Sequence, residues 1–291
     1  MVRQRIANPL HVGSNPILTS IAATAWLAAA GCGGSQFQAG ASATDASSAE
    51  AAAPVDAGTS WCTGRPDTFC EDFDEYPTVT NLLGSTNWGP NFEQSSGSFS
   101  FDTVNAPSPP NALEARGDDG AQVIIVKTFT GIAPTLARVA LTFDLRINSP
   151  GTSGLLSAAG IAAVAFGTSI SDGYVALAIT DGPKLAAFWA DSTTANVDGG
   201  TFKPALASGA FPSSGVWAGS YTLEIDYDAM NPTGCVQVSS GPSRLLSPCL
   251  PLPPQFAHPT VLSIALGDVA GGVEHTGSVS VEFDNVTFDI K

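Results

Sequence analysis

Residues 138–147 read Arg138-Val139-Ala140-Leu141-Thr142-Phe143-Asp144-Leu145-Arg146-Ile147, with large apolar side chains on every second position. Val139, Leu141, Phe143, Leu145 and Ile147 leave the backbone on one side; Thr142, Asp144 and Arg146 leave on the other. A period of two is that of an extended strand with one dry and one wet face. The stretch 221–227 repeats it, with Tyr221, Leu223, Ile225 and Tyr227 in phase. Around these two lie further short β-rich runs at 68–74, 98–104, 112–116, 122–129, 155–166, 174–180, 185–189, 235–239, 261–267 and 278–290. Gly, Pro, Asn and Ser clusters separate them, as turns require. No stretch after residue 60 carries a 3.6-residue period, and no internal repeat is visible. About a dozen such strands predict one all-β domain, a sandwich of two antiparallel sheets over residues 59–291.

The final run changes phase. Val279, Val281 and Phe283 alternate, and then Val286, Phe288 and Ile290 alternate on the other parity. A slip of one residue turns every later side chain over, so a bulge is predicted at Asp284-Asn285.

The 291 residues include 11 Lys+Arg and 26 Asp+Glu, a net charge of −15. A surface of that sign repels phosphate, which excludes nucleic acid as a partner and disfavours anionic headgroups. At 44% hydrophobic, the chain is too apolar to be wholly disordered.

Two segments of different character precede the sandwich. Arg3 and Arg5 come before an apolar, small-residue run at 17–31. That run is short for a membrane span and suits the hydrophobic region of an export signal. It ends Ala29-Ala30-Gly31-Cys32, which resembles the lipobox of bacterial lipoproteins, with Ala29 where the best-matching lipoboxes carry Leu. The resemblance implies acylation of Cys32 and export to a bacterial outer membrane or cell surface. Pro9 and Pro16 lie in a stretch long for a signal's start, so translation is expected to begin downstream of Met1. Residues 1–32 are thus expected to be a lipoprotein signal peptide. Residues 33–58, rich in Ala, Ser and Gly, bury too little apolar area to order themselves and read as a disordered tether. Acyl chains, not charge, are expected to supply the only hold on a membrane.

Cys62, Cys70, Cys235 and Cys249 remain after Cys32. Four cysteines allow three connectivities, and the two local pairings need the least chain closure. Export permits disulfides. Zinc is a weak rival, since no Cys-x-x-Cys occurs and only His258 and His275 follow the signal segment.

Three stretches then resemble the concanavalin A-like lectin/glucanase superfamily, its laminin-G-like modules and laminarinase-like hydrolases. They are Phe69-Cys70-Glu71-Asp72-Phe73-Asp74 followed by Trp88; the Trp217-led run to Tyr227 with its return from Cys235 to Gly241; and the closing run Val281-Glu282-Phe283-Asp284-Asn285-Val286-Thr287-Phe288. The resemblance implies a jelly roll with one concave sheet. It also implies a structural calcium ion joining the first and last strands through Asp72 and Asp284, its shell completed by other oxygens.

Glu224-Ile225-Asp226-Tyr227-Asp228 places three carboxylates on alternate positions, the spacing of a retaining glucanase strand. The third acid is Asp, where the family's acid/base is longer. The motif also lies on the Trp-led strand, whereas the family's catalytic strand precedes that one. The run before it offers only Asp181, in a turn. No Gly-x-Ser-x-Gly elbow and no phosphate-binding glycine loop appears, and His275 sits in a Gly-rich turn. Glu224, Asp226 and Asp228 therefore read as a solvent face. Candidate rings for stacking on a sugar are Trp88, Tyr174, Trp189 and Tyr227, while Trp217 reads as core. The expectation is a non-catalytic envelope lipoprotein binding an extracellular glycan or an envelope protein. The alternative is a divergent glycoside hydrolase or polysaccharide lyase using Glu224 and Asp228.

Overall fold

The computed structural model describes residues 60–89, 92–93, 97–118, 123–152, 158–168, 173–180, 184–190, 205–206, 211–228, 232–269 and 276–291. Cys32, the signal segment, the tether, Asp181 and His275 lie outside them.

The described residues form two antiparallel sheets. The nine-stranded sheet runs β13 (Ser243–Arg244), β12 (Cys235–Ser240), β11 (Trp217–Asp226), β6 (Arg138–Thr152), β16 (Thr276–Ile290), β4 (Ala112–Asp118) and β3 (Gly97–Asp102). In the same sheet β1 (Phe69–Glu71) pairs with β16, and β14 (Leu250–Pro251) pairs with β12. The seven-stranded sheet runs β10 (Ala205–Leu206), β9 (Lys184–Ala190), β8 (Tyr174–Thr180), β7 (Ala158–Ala165), β15 (Val261–Val269), β5 (Val123–Thr130) and β2 (Phe92–Glu93). This is the sandwich of two antiparallel sheets that the alternation predicts, and it matches the jelly roll that the resemblance implies. Every run read from the sequence is a strand. The two-residue strands and the one-turn helix α1 (Val79–Leu83), capped by the Thr78 hydroxyl, are too short to show a period.

The alternating apolar sets meet between the sheets. Leu141, Phe143, Leu145 and Ile147 of β6, Leu223 and Ile225 of β11, and Val281 and Phe283 of β16 are fully buried from one side. Ile125, Val164, Val175, Leu177, Leu262 and Ile264 are buried with them in a single core cluster. The seven-stranded sheet also carries a second buried apolar cluster of opposite parity, built on Ile124, Ala163, Tyr174, Ala176, Ala178 and Phe188.

Two bulges set the outward faces. Pairing of β16 with β6 slips between Asp284 and Thr287, and Asn285 sits at φ 51°, a left-handed conformation that Asn tolerates. This is the predicted bulge, and it restores Val286 and Phe288 to the core. The second was not anticipated. Pairing of β11 with β6 slips between Trp217 and Ser220, with Gly219 at φ 83°. Plain alternation puts Trp217 in phase with Tyr221 and inside; the extra residue turns it out, opposite Arg146. Trp217 is therefore half-buried on the outer face and not core. Both disulfides take the local pairing, Cys62–Cys70 and Cys235–Cys249, with Cα atoms 5.6 and 5.7 Å apart.

Gly267 of β15 holds φ +119°, and a Cβ there meets the Val123 carbonyl oxygen of the neighbouring strand. Backbone cannot yield as a flexible side chain can. Gly267→Ala is expected to cost about 2 kcal/mol or more. That lowers the thermal midpoint by at least about 4 °C in circular-dichroism melts, whereas an unchanged midpoint contradicts the packing.

Candidate functional site

The outer face of the nine-stranded sheet carries most of the polar side chains that the alternation turns away from the core. Arg146 is its hub. Its Nη1 donates to Asp102 Oδ2 at 2.8 Å and to Glu282 Oε2 at 3.1 Å, and its Nε donates to the Gly215 carbonyl at 2.9 Å. Glu282 also accepts from Asn148 Nδ2. Burial raises the Glu282 pKa despite these partners. Burial pushes Asp102 upward too, but the Val104 and Asn105 donors with the Arg146 charge outweigh it, and Asp102 ends below its ordinary value. Beside them Glu114 accepts from the Ser100 hydroxyl at 2.8 Å and the Ser280 hydroxyl at 2.7 Å.

Trp217 faces outward opposite Arg146, and its indole Nε1 is buried without a hydrogen-bond partner. Further along the face, Thr142 Oγ1 and Thr222 Oγ1 lie 2.9 Å apart, and Gln237 Nε2 donates to Asp226 Oδ2 at 3.0 Å. The face thus offers hydroxyls, amides, carboxylates and one indole. An isolated glycine within a strand pattern, here Gly219, was the available signal for this arrangement.

The end of β11 divides the acidic motif. Glu224 and Asp226 share the outer face, but Arg138 is ion-paired to Glu224. Burial and then the Glu224 charge raise Asp226, with Arg138 and Arg244 opposing. Asp228 falls beyond the end of β11 and is exposed.

Three of the four rings named as sugar platforms are buried. Trp88 is 2% exposed and donates its indole N–H to Glu71 Oε2 at 3.0 Å. Tyr227 points its hydroxyl at the Phe256 carbonyl, 3.4 Å away. Tyr174 packs edge-on to Phe188 in the second cluster, its hydroxyl buried and unpartnered. Trp189 is half-buried against Phe256, ring centroids 6.0 Å apart. Trp88, Tyr174 and Tyr227 are taken up by packing, and Trp217, half-buried like Trp189, is the ring on the polar face of the nine-stranded sheet.

Asp72 and Asp284 lie on either side of Asp74, whose pKa is raised by burial and by Asp72, and whose own charge adds to the rise at Asp284. Asp72 accepts from the Ser60 hydroxyl at 2.6 Å and the Cys62 N–H at 3.3 Å. Asp284 accepts from the Ser108 N–H at 2.8 Å, the Ser108 hydroxyl at 2.9 Å and the Asn285 N–H at 2.7 Å. Among the described residues no group of three or more His, Cys, Asp or Glu is placed to hold a metal ion. With N–H and O–H donors on both carboxylates, the pair as placed does not fit a calcium shell.

Next to it, Glu71 is a buried acid tied into the opening of the domain. It accepts from the Phe73 N–H at 2.9 Å and the Tyr76 hydroxyl at 3.3 Å, besides Trp88. These bonds hold Phe73 at φ 60°, a conformation costly for a bulky residue. Burial outweighs the donors and pushes Glu71 up to about 7. Burial likewise pushes Asp284 up to about 7.

No family model matches the chain, and no curated protein matches it. Solved structures do. An endo-β-1,4-glucuronan lyase from the fungus Trichoderma reesei superposes with a TM-score of 0.50 at 13% identity, covering 77% of this chain and 95% of that one. An alginate lyase, vAL-1 from Chlorella virus, gives 0.48 at 11% identity, covering 77% and 100%. The cellulose-induced protein Cip1 gives 0.45 at 12% identity, covering 70% and 91%. The first likeness shows the fold, a β-sandwich of two antiparallel sheets.

Glu71 and Asp284 keep their protons to higher pH when folded than when unfolded. The native state therefore binds more protons between about pH 4 and 7, and stability falls as pH rises through that window. Asp102, held low, acts only below it. The thermal midpoint is expected to be higher at the acid end of the window than at the alkaline end. Glu71→Gln with Asp284→Asn should flatten the slope. A wild-type midpoint that rises with pH across the window contradicts the burial of these acids.

Proposed function

We propose that the chain is a non-catalytic, exported lipoprotein whose jelly roll binds an extracellular glycan on the outer face of the nine-stranded sheet. One observation carries the reading: the bulge between Trp217 and Ser220 brings an indole onto a face of hydroxyl, amide and carboxylate groups. Sugar rings present just such complementary groups, apolar C–H faces for an aromatic and hydroxyls for polar side chains. The polysaccharide lyases of like fold are in keeping with a glycan partner. Arg138 on Glu224, and Asp228 off the strand, favour binding over hydrolysis or lysis.

The anchor is the second part of the proposal. Cys32 carries the acyl chains, and the tether at 33–58 sets the domain off a bacterial outer membrane or cell surface. No helix among the described residues is long and apolar enough to cross a membrane. Cys32→Ser is expected to abolish fatty-acid labelling and move the protein from the membrane fraction to the soluble one. Labelling that persists removes the anchor from the account. Calcium at Asp72 and Asp284 is a separate proposal that requires Ser60 and Ser108 to withdraw; melts with calcium and with chelator decide it.

The full chain in mild detergent, run through polysaccharide-containing gels, should be retarded by at least one extracellular glycan. Trp217→Ala should weaken that retardation by about tenfold or more, as loss of a stacked ring does. No reducing ends and no unsaturated sugars should be released. Turnover that Glu224→Gln abolishes would establish the enzyme reading, and binding that Trp217→Ala leaves intact moves the site elsewhere.

A further inference from the structure

The fold is shared with a glucuronan lyase, and a glucuronan carries one carboxylate on every sugar. A surface that holds such a polymer needs free cationic side chains, because each buried or half-buried carboxylate loses hydration that a facing charge must replace. The cations of this chain are few, 11 Lys+Arg in all. On the outer face of the nine-stranded sheet each arginine of β4 and β6 is already committed. Arg146 is shared by Asp102 and Glu282, Arg138 is bound to Glu224, and Arg116 lies 3.6 Å from Asp118. At the edges of the domain Lys291 is paired with Asp289, and Arg65 is paired with Asp67 and stacked on Trp61.

The other sheet gives a polyanion no better hold. Its second apolar cluster, with Ala163, Ala176, Ala178, Ala265 and Phe188, is buried. Lys127 stands over the Phe69 ring, 5.5 Å from its centroid. Among the described residues Lys184 of β9 and Arg244 of β13 are exposed on different sheets; Arg244 stands alone at the edge strand of the nine-stranded sheet, its charge opposing the rise at Asp226, so the described cations make no row.

We infer that the glycan bound by this protein is uncharged, and that polyuronates are excluded from it. This deepens the glycan-binding reading and rests on it. Carboxylates suit a neutral polymer well: they accept hydrogen bonds from sugar hydroxyls, and Glu114 already accepts from two serine hydroxyls on the same face. The Thr142–Thr222 hydroxyl pair and the Gln237 amide add neutral donors and acceptors beside them. The same carboxylates repel a uronate through the net charge of −15. Selection is by sign of charge, so it requires no pocket shaped to one sugar.

The test uses the full chain in detergent against three soluble polymers: a neutral β-glucan, alginate as the polyuronate, and chitosan as the polyamine, each at low and high salt. The neutral polymer should bind with an affinity that changes less than about twofold with salt, because no ion pair forms across the interface. Alginate should not bind at either salt. Asp102→Asn and Glu282→Gln together with Glu224→Gln, which remove the carboxylates paired to Arg146 and Arg138, should then give alginate binding at low salt that high salt removes. Alginate binding by the wild type overturns the inference and leaves the glycan reading standing. Salt-sensitive binding of chitosan alone overturns it as well, by showing that the acidic face selects a cation. Absence of binding to all three and to a wider glycan panel removes the glycan reading, and the inference with it.

Discussion

A β-strand cannot change which side chains it buries without a residue to spare. The register of this sandwich slips at several places, and two of the extra residues set the face described above. On β16 the extra residue lies at Asn285, whose left-handed backbone is held by its N–H on Asp284 and its amide on Asp144. On β11 it lies between Trp217 and Ser220, at Gly219. The first keeps a long central strand in register with the core along its whole length. The second turns an indole outward. Everything said of the outer face follows from these two positions.

Most of the fold was legible because alternation is a local property. Val139 to Ile147 and Tyr221 to Tyr227 announce their buried faces in the sequence, and the phase change of β16 announces its bulge. The bulge in β11 was not legible in the same way, because only two apolar residues of that strand, the neighbours Trp217 and Ala218, precede it. A phase change needs a run on both sides to be seen. Tertiary packing hid the rest. Trp88 looks like any tryptophan in sequence, and only the approach of Glu71 across 17 residues makes it a buried donor. Cysteine pairing followed chain closure, the local choice in both cases.

Charge does the work on the outer face that shape does in a cleft. Arg146 sits between Asp102 and Glu282, and Arg138 sits on Glu224, so three carboxylates of the face hold the two arginines of β6. The carboxylates left over meet hydroxyls and amides. The face also brings Glu224 and Asp226 together on β11, close enough for the Glu224 charge to raise Asp226, with Arg138 beside them.

The exposure of Trp217 among acids tests this account most directly. The fluorescence component that Trp217→Phe removes can be isolated by difference and challenged with acrylamide, caesium and iodide. The account predicts that acrylamide and caesium quench it and that iodide, repelled by Asp102, Asp144 and Glu282, quenches it weakly. A component shielded from all three would put Trp217 in the core and contradict the bulge on which the face depends.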